Sequence, residues 1–476
     1  MTNPANLPAE FLKLRDELIQ VVGDRHVRSG DYGDRDSAMT VFPASTAEVA
    51  AVVAICHRLG FSIVPEGGRT GLVGGTCATP ADIVLSLSRM SRIESIYPAE
   101  RAAVVEAGVP LEALQTAALV HRLEPGIDLA ARGSATIGGM ISTNAGGIMA
   151  FRYGVMRHRI LGLEAVLPDG SIYSDLTRVV KNTAGYDLKQ LFIGAEGTLG
   201  IVTRAVVKLE PVPDATATIL LGLPSVAAAL DAISLALKAE AGHLRAAEGM
   251  WQRYIRLTAG AQGWSEPSVP LDAPVYLLLT LGGARDDLLA EDVENLFARV
   301  LERHASATGI AASSSQQEAV LWRLREDTDQ LYRAHSLAPS YDISVPLSEM
   351  EAYVARIMEG LAGIDHGISP YVFGHLADGN LHIVLDRVGP LPDVVAAQVE
   401  AVLYESLQSL GGSFSAEHGI GSKRVNALMT SIDSGKLAMM KQVKGALDSH
   451  YLMNPGKVLP DYPPARKKDR VWNTQA

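Results

Sequence analysis

The segment FGHLADGNLHIVL, residues 373–385, carries His375 and His382 on either side of an Asp378-Gly379 pair. An Asp-Gly pair between alternating apolar residues is a strong signal for a two-residue hairpin turn. With that turn Ala377 faces Asn380, Leu376 faces Leu381 and His375 faces His382, so the two imidazoles share one face. On an uninterrupted strand a separation of seven would place them on opposite faces. Two imidazoles on one face suit a divalent ion once a third ligand is found, and Glu417 in FSAEHGIGSKR, residues 414–424, is the candidate. Two histidines and one carboxylate, with coordination positions left open, suit Zn²⁺ or Mn²⁺ acting as a Lewis acid. From the residues alone a plainer reading stands beside this one: two polar residues on an ordinary hairpin.

The elements that must position such a cluster belong to a large chain. Its 476 residues are 47% hydrophobic and 20% charged, which implies two or three domains with real cores and excludes a disordered chain. Two cysteines, Cys56 and Cys77, cannot build a disulfide framework or a thiolate zinc finger, so any metal must be held by nitrogen and oxygen. Lys plus Arg number 42 against 53 for Asp plus Glu, a net charge of −11 with no long basic run, which argues against nucleic acid as a partner. The N-terminal residues lack a basic start followed by an apolar core. The most apolar stretch, residues 215–239, is broken by Pro224 and Asp231 and does not read as a spanning helix. The expectation is a cytoplasmic protein without a transmembrane segment, whose basic tail, residues 465–472, is a solvated terminus.

Along the chain, an N-terminal helix precedes a charged loop from Arg28 to Asp36. Residues 41–68 read as strand, helix, strand. Thr46 is the expected helix N-cap, and Val49, Val52, Val53 and Cys56 keep a helical period. Short β-rich segments lie at 82–90 and 102–109, on either side of a polar bend, and a hairpin turns at Pro168-Asp169-Gly170. The prolines at 211 and 213 mark a boundary. Beyond it, strands such as PVYLLLTLGG alternate with amphipathic helices such as LLAEDVENLFARVLERHA.

Nineteen of the 44 glycines lie between residues 65 and 200, with five in residues 65–75 and six in residues 133–154. Glycine lets backbone approach a ligand closely, and successive N–H groups in such loops form nests for phosphate oxygens. Together with a third loop, GAEGTLGIVT, these clusters favour a dinucleotide pyrophosphate cradle over a set of tight turns. No GxxxxGK[ST] and no GxGxxG between strand and helix is present, so neither a P-loop nor a Rossmann domain is supported.

PEGGRTGLVGGT (65–76), GSATIGGMISTNAGG (133–147) and GYDLKQLFIGAEGTLGIVT (185–203) resemble the FAD-binding segments of the vanillyl-alcohol-oxidase, or PCMH-type, flavoprotein superfamily. FGHLADGNLHIVL, SAEHGIGSKR and NPGKVLP resemble the branch that contains D-lactate and D-2-hydroxyglutarate dehydrogenases and the glycolate oxidase D subunit. The motifs occur in order from about residue 40 to 460. The resemblance implies an α+β protein. An N-terminal helix and loop would span 1–36. A PCMH-type FAD-binding domain of two α/β subdomains would span 37–212. A substrate domain with an antiparallel sheet would span 213–410, and a C-terminal helical segment, 411–476, would pack back on the flavin domain and complete the active site.

It implies non-covalent FAD, since no histidine lies in the first loop. Pro65, Glu66, Gly67, Gly68, Arg69, Thr70, Gly71, Gly74 and Gly75 would hold the pyrophosphate, Arg69 standing at the third position of the usual GGGT or GGNT loop. Gly133, Ser134, Thr136, Gly139, Ser142, Asn144, Ala145 and Gly146 would line the cofactor further along, and Glu196, Gly197 and Ile201 its adenine or ribitol side. His375, His382 and Glu417 would be metal ligands, with Zn²⁺ first and Mn²⁺ the alternative, and His418 the base that takes the substrate hydroxyl proton. Arg325 would clamp the substrate carboxylate, Asn380 would bond it, and Asn454, with Lys457 and Tyr186, would close the pocket.

At two further substrate positions the chain departs from the dicarboxylate-specific members, with Ser340 in place of Lys and Asp329 in place of Thr. The implied activity is an FAD- and metal-dependent dehydrogenase converting a D-2-hydroxy acid to the 2-oxo acid. A 4-phosphoerythronate dehydrogenase and the flavin subunit of a glycolate-oxidase-type complex are the alternatives. An electron-transfer flavoprotein, a quinone or another 2-oxo acid would take the electrons, and a homodimer is expected.

Overall fold

A computed structural model describes residues 9–29, 37–265, 269–364 and 368–460. Most of the expected loop after the first helix and all of the basic tail lie outside them; Arg28 itself is in a short strand, Val27–Ser29, paired with Met39–Val41. The chain divides into two compact units. One comprises Met1–Gly146, Gly154–Val212 and His418–Ala476, the other Gly147–Tyr153 and Pro213–Glu417. Among the described residues no helix is long and apolar enough to cross a membrane.

The first unit holds two sheets. A four-stranded sheet runs in the order Val27–Ser29, Met39–Val41, Ile83–Ser86, Ile63–Glu66, with parallel pairing among the last three. The helix Thr46–Leu59 makes the crossover and buries Val49, Val52, Val53 and Cys56, the positions of its helical period. Its N-cap is Ser45 rather than Thr46. The Ser45 hydroxyl accepts from the Glu48 N–H, and the Glu48 carboxylate accepts the Ala44 N–H. Thr46 instead donates its hydroxyl to Glu164 at 2.6 Å, so a tertiary partner claims it.

The second sheet is antiparallel, in the order Ile93–Tyr97, Ala102–Glu106, Ile201–Lys208, Ile160–Val166, Ile172–Asp175. The expected polar bend thus contains a half-exposed edge strand. The hairpin at residues 167–170 forms as expected, closed by Gly170 N–H to Leu167 O at 2.9 Å. Residues 418–460 belong to this unit. Met453 bridges Ile63, and buried Lys444 donates to Thr198 O, Met453 O and Asp448.

The second unit is one seven-stranded antiparallel sheet. Its order is Thr308–Ala311, Ala215–Leu223, Val275–Gly283, Gly242–Trp251, Tyr371–His375, Asn380–Val384, Ser340–Ser344. Long apolar strands such as VYLLLTLGG are buried on both faces, so the period-two alternation of a one-sided sheet is lost. Helices Val226–Ala236, Asp286–Arg303, Met350–Ile364 and Asp393–Tyr404 build the core on one side. Helices Gln252–Ala261 and Ser315–Glu326 pack on the other, around Tyr254, Tyr276 and Phe373.

Candidate active site

The hairpin that carries both histidines has a longer loop than the Asp378-Gly379 turn. Phe373 stands opposite His382 and His375 opposite Asn380, leaving residues 376–379 as the connection. Tertiary contacts explain the change. The Leu376 N–H leaves the ladder to donate to Ala247 O at 2.9 Å, and its side chain is fully buried against Gly249. Gly379, at φ +83°, turns its carbonyl to the Val345 N–H. Pairing is displaced by two residues, and an even displacement keeps side chains on their face. His375 and His382 therefore still share one face, now diagonally, with ring centroids 5.4 Å apart.

Glu417 reaches them along the sheet edge. Ser413 bridges Ser344, and the Glu417 N–H donates to Asp342 Oδ2 at 2.7 Å. The Glu417 carboxylate lies 3.8 Å from His375 Nε2 and 4.0 Å from His382 Nε2. One donor atom from each of the three lies within 4.8 Å of the others. Ligands about 2.0–2.2 Å from one tetrahedral ion stand roughly 3.3–3.6 Å apart, so this donor set fits a divalent cation with little movement.

Two buried carboxylates stand behind the cluster. Glu248, fully enclosed, accepts from His375 Nδ1 at 2.7 and 3.0 Å and from Arg325 Nη2 at 2.9 Å. Asp342 accepts the Asn380 amide at 2.7 Å and lies 3.7 Å from His382 Nδ1. Burial alone would raise Glu248, but His375 and Arg325 together hold its carboxyl below the ordinary value. Burial would likewise lower His375; the Glu248 charge and hydrogen bond outweigh it and raise the imidazole to about 9. Burial pushes Glu417 up to about 7, opposed by His375 and reinforced by Asp342, Asp378 and Glu248. That is the environment expected where negative charge is gathered for a cation.

Arg325, at the end of the helix Ser315–Glu326, is 7% exposed and lies with Cζ 4.9 Å from the Phe373 ring. Its Nε is buried without a hydrogen-bond partner. Asn380 spends its amide nitrogen on Asp342 and Ile343 O, while its Oδ1 is buried and unpartnered. Ser340 is half-buried at the start of its strand, two residues before Asp342 and on the same face. Asp329 is exposed at the start of the helix Asp329–Ala334 and shares no hydrogen bond or ion pair with Arg325.

In the first unit the glycine loops meet backbone to backbone. A Cβ on Gly68 would lie 1.8 Å from Ser134 O, and one on Gly67 would lie 2.2 Å from Thr136 Oγ1. Thr136 caps the helix Ile137–Thr143 through the Gly139 N–H, and Asn144 ends it in the left-handed region at φ 52°. Glu196 is buried, and its carboxylate accepts the Ile420 and Gly421 N–H groups. Burial raises its carboxyl, against those two bonds. The Asn454 amide donates to Gly75 O and Glu196 O. Ile201 is enclosed in the core of the unit, and Tyr186 is exposed. His418 is half-buried, with Arg424 Nη2 3.5 Å from its Nδ1, the outer limit of a hydrogen bond.

Residues 212–458 match the family of FAD linked oxidases, C-terminal domain, and residues 37–175 match the FAD binding domain. The chain belongs to the FAD-linked oxidase family. A D-2-hydroxyglutarate dehydrogenase of Xanthomonas citri pv. viticola is 37% identical over 422 residues, covering 87% of this chain and 88% of that protein. A mitochondrial D-2-hydroxyglutarate dehydrogenase of Bos taurus is 34% identical, covering 90% of this chain and 77% of its own. The solved structure of p-cresol methylhydroxylase with substrate bound superposes at a TM-score of 0.72 and 17% identity, over 97% of this chain and 99% of that one. The fold is the PCMH-type FAD-binding fold of a flavin oxidoreductase, α+β as the sequence resemblance implied.

The cradle of this FAD-linked oxidase fits a dinucleotide. Among the described residues, the N–H groups of Gly68, Gly71, Gly74 and Gly75 donate to no protein acceptor. A Cβ on Gly71 would meet nothing within 4 Å, so that stretch is open. The two glycines therefore make separable predictions. Gly68→Ala should cost about 1–3 kcal/mol or more, because the obstacle is backbone that cannot swing aside, and should lower both melting temperature and flavin content. Gly71→Ala should leave the melting temperature within about 1 °C while weakening flavin retention. Equal melting temperatures for the two variants would contradict this.

Sequence reasoning missed Glu248 and Asp342 as members of the cluster. The one local signal for Glu248 is an isolated acid in the strand GHLRAAEGMW, whose last six residues are all buried.

Proposed function

We infer that this FAD-linked oxidase is a dehydrogenase that oxidises a D-2-hydroxy acid to the 2-oxo acid and uses a divalent metal to do so. The observation that carries the reading is the convergence of His375, His382 and Glu417 on one face, with Glu248 behind them holding Arg325. FAD held by residues 65–75 and 133–146 would supply the two-electron oxidation of substrate carbon 2. A divalent ion on His375, His382 and Glu417 supplies Lewis acidity toward the substrate hydroxyl.

The chain's own residues do the rest. Arg325, with its unpartnered Nε, offers a fork for the substrate carboxylate. Asn380 does not bond that carboxylate as the resemblance implied, because its amide nitrogen already donates to Asp342 and Ile343 O and only an acceptor oxygen is left. His418, the neighbour of Glu417 in the chain, takes the hydroxyl proton. Residues 65–75 and 133–146 cradle the cofactor.

Within the D-2-hydroxy acids, this reading places a smaller acid ahead of 2-hydroxyglutarate. Ser340 leaves a polar but uncharged group on the face that carries Asp342 and His382, and Asp329 adds an acid nearby in sequence to the clamp. Neither supplies a cation for a second carboxylate. D-lactate-sized acids, or hydroxy acids with a neutral tail, are favoured. Anaerobic flavin reduction by D-lactate, D-malate, D-2-hydroxyglutarate and 4-phosphoerythronate, before and after metal removal, tests this. Failure of every acid to reduce the flavin sinks it. Ser340→Lys should improve kcat/KM for D-2-hydroxyglutarate relative to D-lactate by about tenfold, near 1.4 kcal/mol. An unchanged ratio would mean that the second carboxylate does not lie near residue 340.

A further inference from the structure

We propose that Glu248 is a positioning residue that couples the metal ligand His375 to the substrate clamp Arg325. The proposal rests on the metal and clamp assignments given above, and goes beyond them in naming the group that joins the two. Glu248 lies on the strand Gly242–Trp251, directly across the ladder from His375. Its side chain is 0% exposed. A carboxylate in such a place is retained only if both oxygens are occupied by donors. They are: Oε1 lies 2.7 Å and Oε2 3.0 Å from His375 Nδ1, and Oε2 also lies 2.9 Å from Arg325 Nη2.

Three consequences follow from that geometry. An ionised carboxylate only accepts, so His375 donates from Nδ1 and keeps its Nε2 lone pair free, on the side where Glu417 stands 3.8 Å away. Arg325 is fixed in rotation by Glu248 on one edge and by the Phe373 ring, 4.9 Å from Cζ, against its face. Its Nε remains buried and unpartnered, so part of the fork is reserved for another acceptor. Third, the two donors compete for Oε2, so a change in the position of either is felt by the other. Arg325 therefore influences metal affinity without touching the metal, and metal binding by linkage influences the affinity for a substrate carboxylate. A carboxylate with only a packing role would affect melting temperature and leave both affinities alone.

The test uses the full-length flavoprotein, stripped of metal with a chelator and titrated with Zn²⁺ or Co²⁺ in a competing chelator, without substrate. Glu248→Gln should weaken metal binding about 10–100-fold, the usual cost of losing the partner behind a metal-bound histidine. With metal at saturation it should also raise KM for the hydroxy acid more than it lowers kcat, because Arg325 loses its anchor. Arg325→Gln leaves the Glu248–His375 contact in place and covers the case in which Glu248→Gln does not fold. It should weaken metal binding at least threefold although Arg325 is not a ligand. Metal affinity unchanged in the folded variants overturns this proposal and leaves the metal site standing. A parent protein that binds neither Zn²⁺ nor Co²⁺ overturns the metal assignment and, with it, this coupling.

Discussion

Glu417→Gln should reduce bound metal from near stoichiometric to under about a tenth and lower kcat/KM on the order of 10³-fold, about 4 kcal/mol of transition-state stabilisation. The amide keeps the shape of the side chain and the Glu417 N–H bond to Asp342, but loses the charge that the two Nε2 atoms face at 3.8 and 4.0 Å. Folding should not suffer. Burial pushes the Glu417 carboxyl up to about 7, so its ionised form is disfavoured in the folded protein relative to the unfolded chain. At pH 8 a metal-free Glu417 therefore subtracts from stability, and a neutral amide removes that penalty. The metal-free variant should melt no lower than the metal-free parent. Metal analysis, turnover and a melting curve read all three quantities. Full metal content with normal turnover would show that Glu417 is not a ligand.

His418→Ala should slow anaerobic flavin reduction by about 10²–10⁴-fold, the range for loss of a general base, with KM changed by less than about threefold. Removing a hydride from carbon 2 leaves an oxocarbenium unless the hydroxyl proton departs, and an imidazole can take that proton near neutral pH. Stopped-flow flavin bleaching measures the step directly. Near-normal bleaching by the variant would assign the proton to another acceptor. Comparison with Glu417→Gln separates the two roles, since loss of the base should leave metal content intact.

Local pattern made a good part of this protein legible. The helix Thr46–Leu59 follows from its apolar period, because a crossover helix must bury one stripe whatever it packs against. The glycines at 67 and 68 stand out in the sequence as a cluster, although their packing reason, contact with Ser134 and Thr136, lies in a second loop. Other local inferences failed by small steps with physical causes. Thr46 lost the N-cap to Ser45 because Glu164, 118 residues away, takes its hydroxyl. The hairpin turn at Asp378-Gly379 lengthened because Leu376 is drawn to Ala247 and Gly249.

The candidate site divides along the same line. That His375 and His382 share a face was determined by the sequence alone. The structure shifted their pairing by two residues, and side chains alternate with a period of two, so the conclusion survived a wrong register. The order of the glycine motifs likewise pointed to the flavin family, and the scarcity of cysteine meant that any metal would have nitrogen and oxygen ligands. What stands behind His375, His382 and Glu417 was decided only by the tertiary structure. Glu248 meets His375 across 127 residues of chain through strand pairing in one antiparallel sheet, and the Asp342 carboxylate, on the edge strand of that sheet, meets the Glu417 N–H across 75. Such pairing is set by how whole strands bury their faces against distant helices, and no local spacing encodes it.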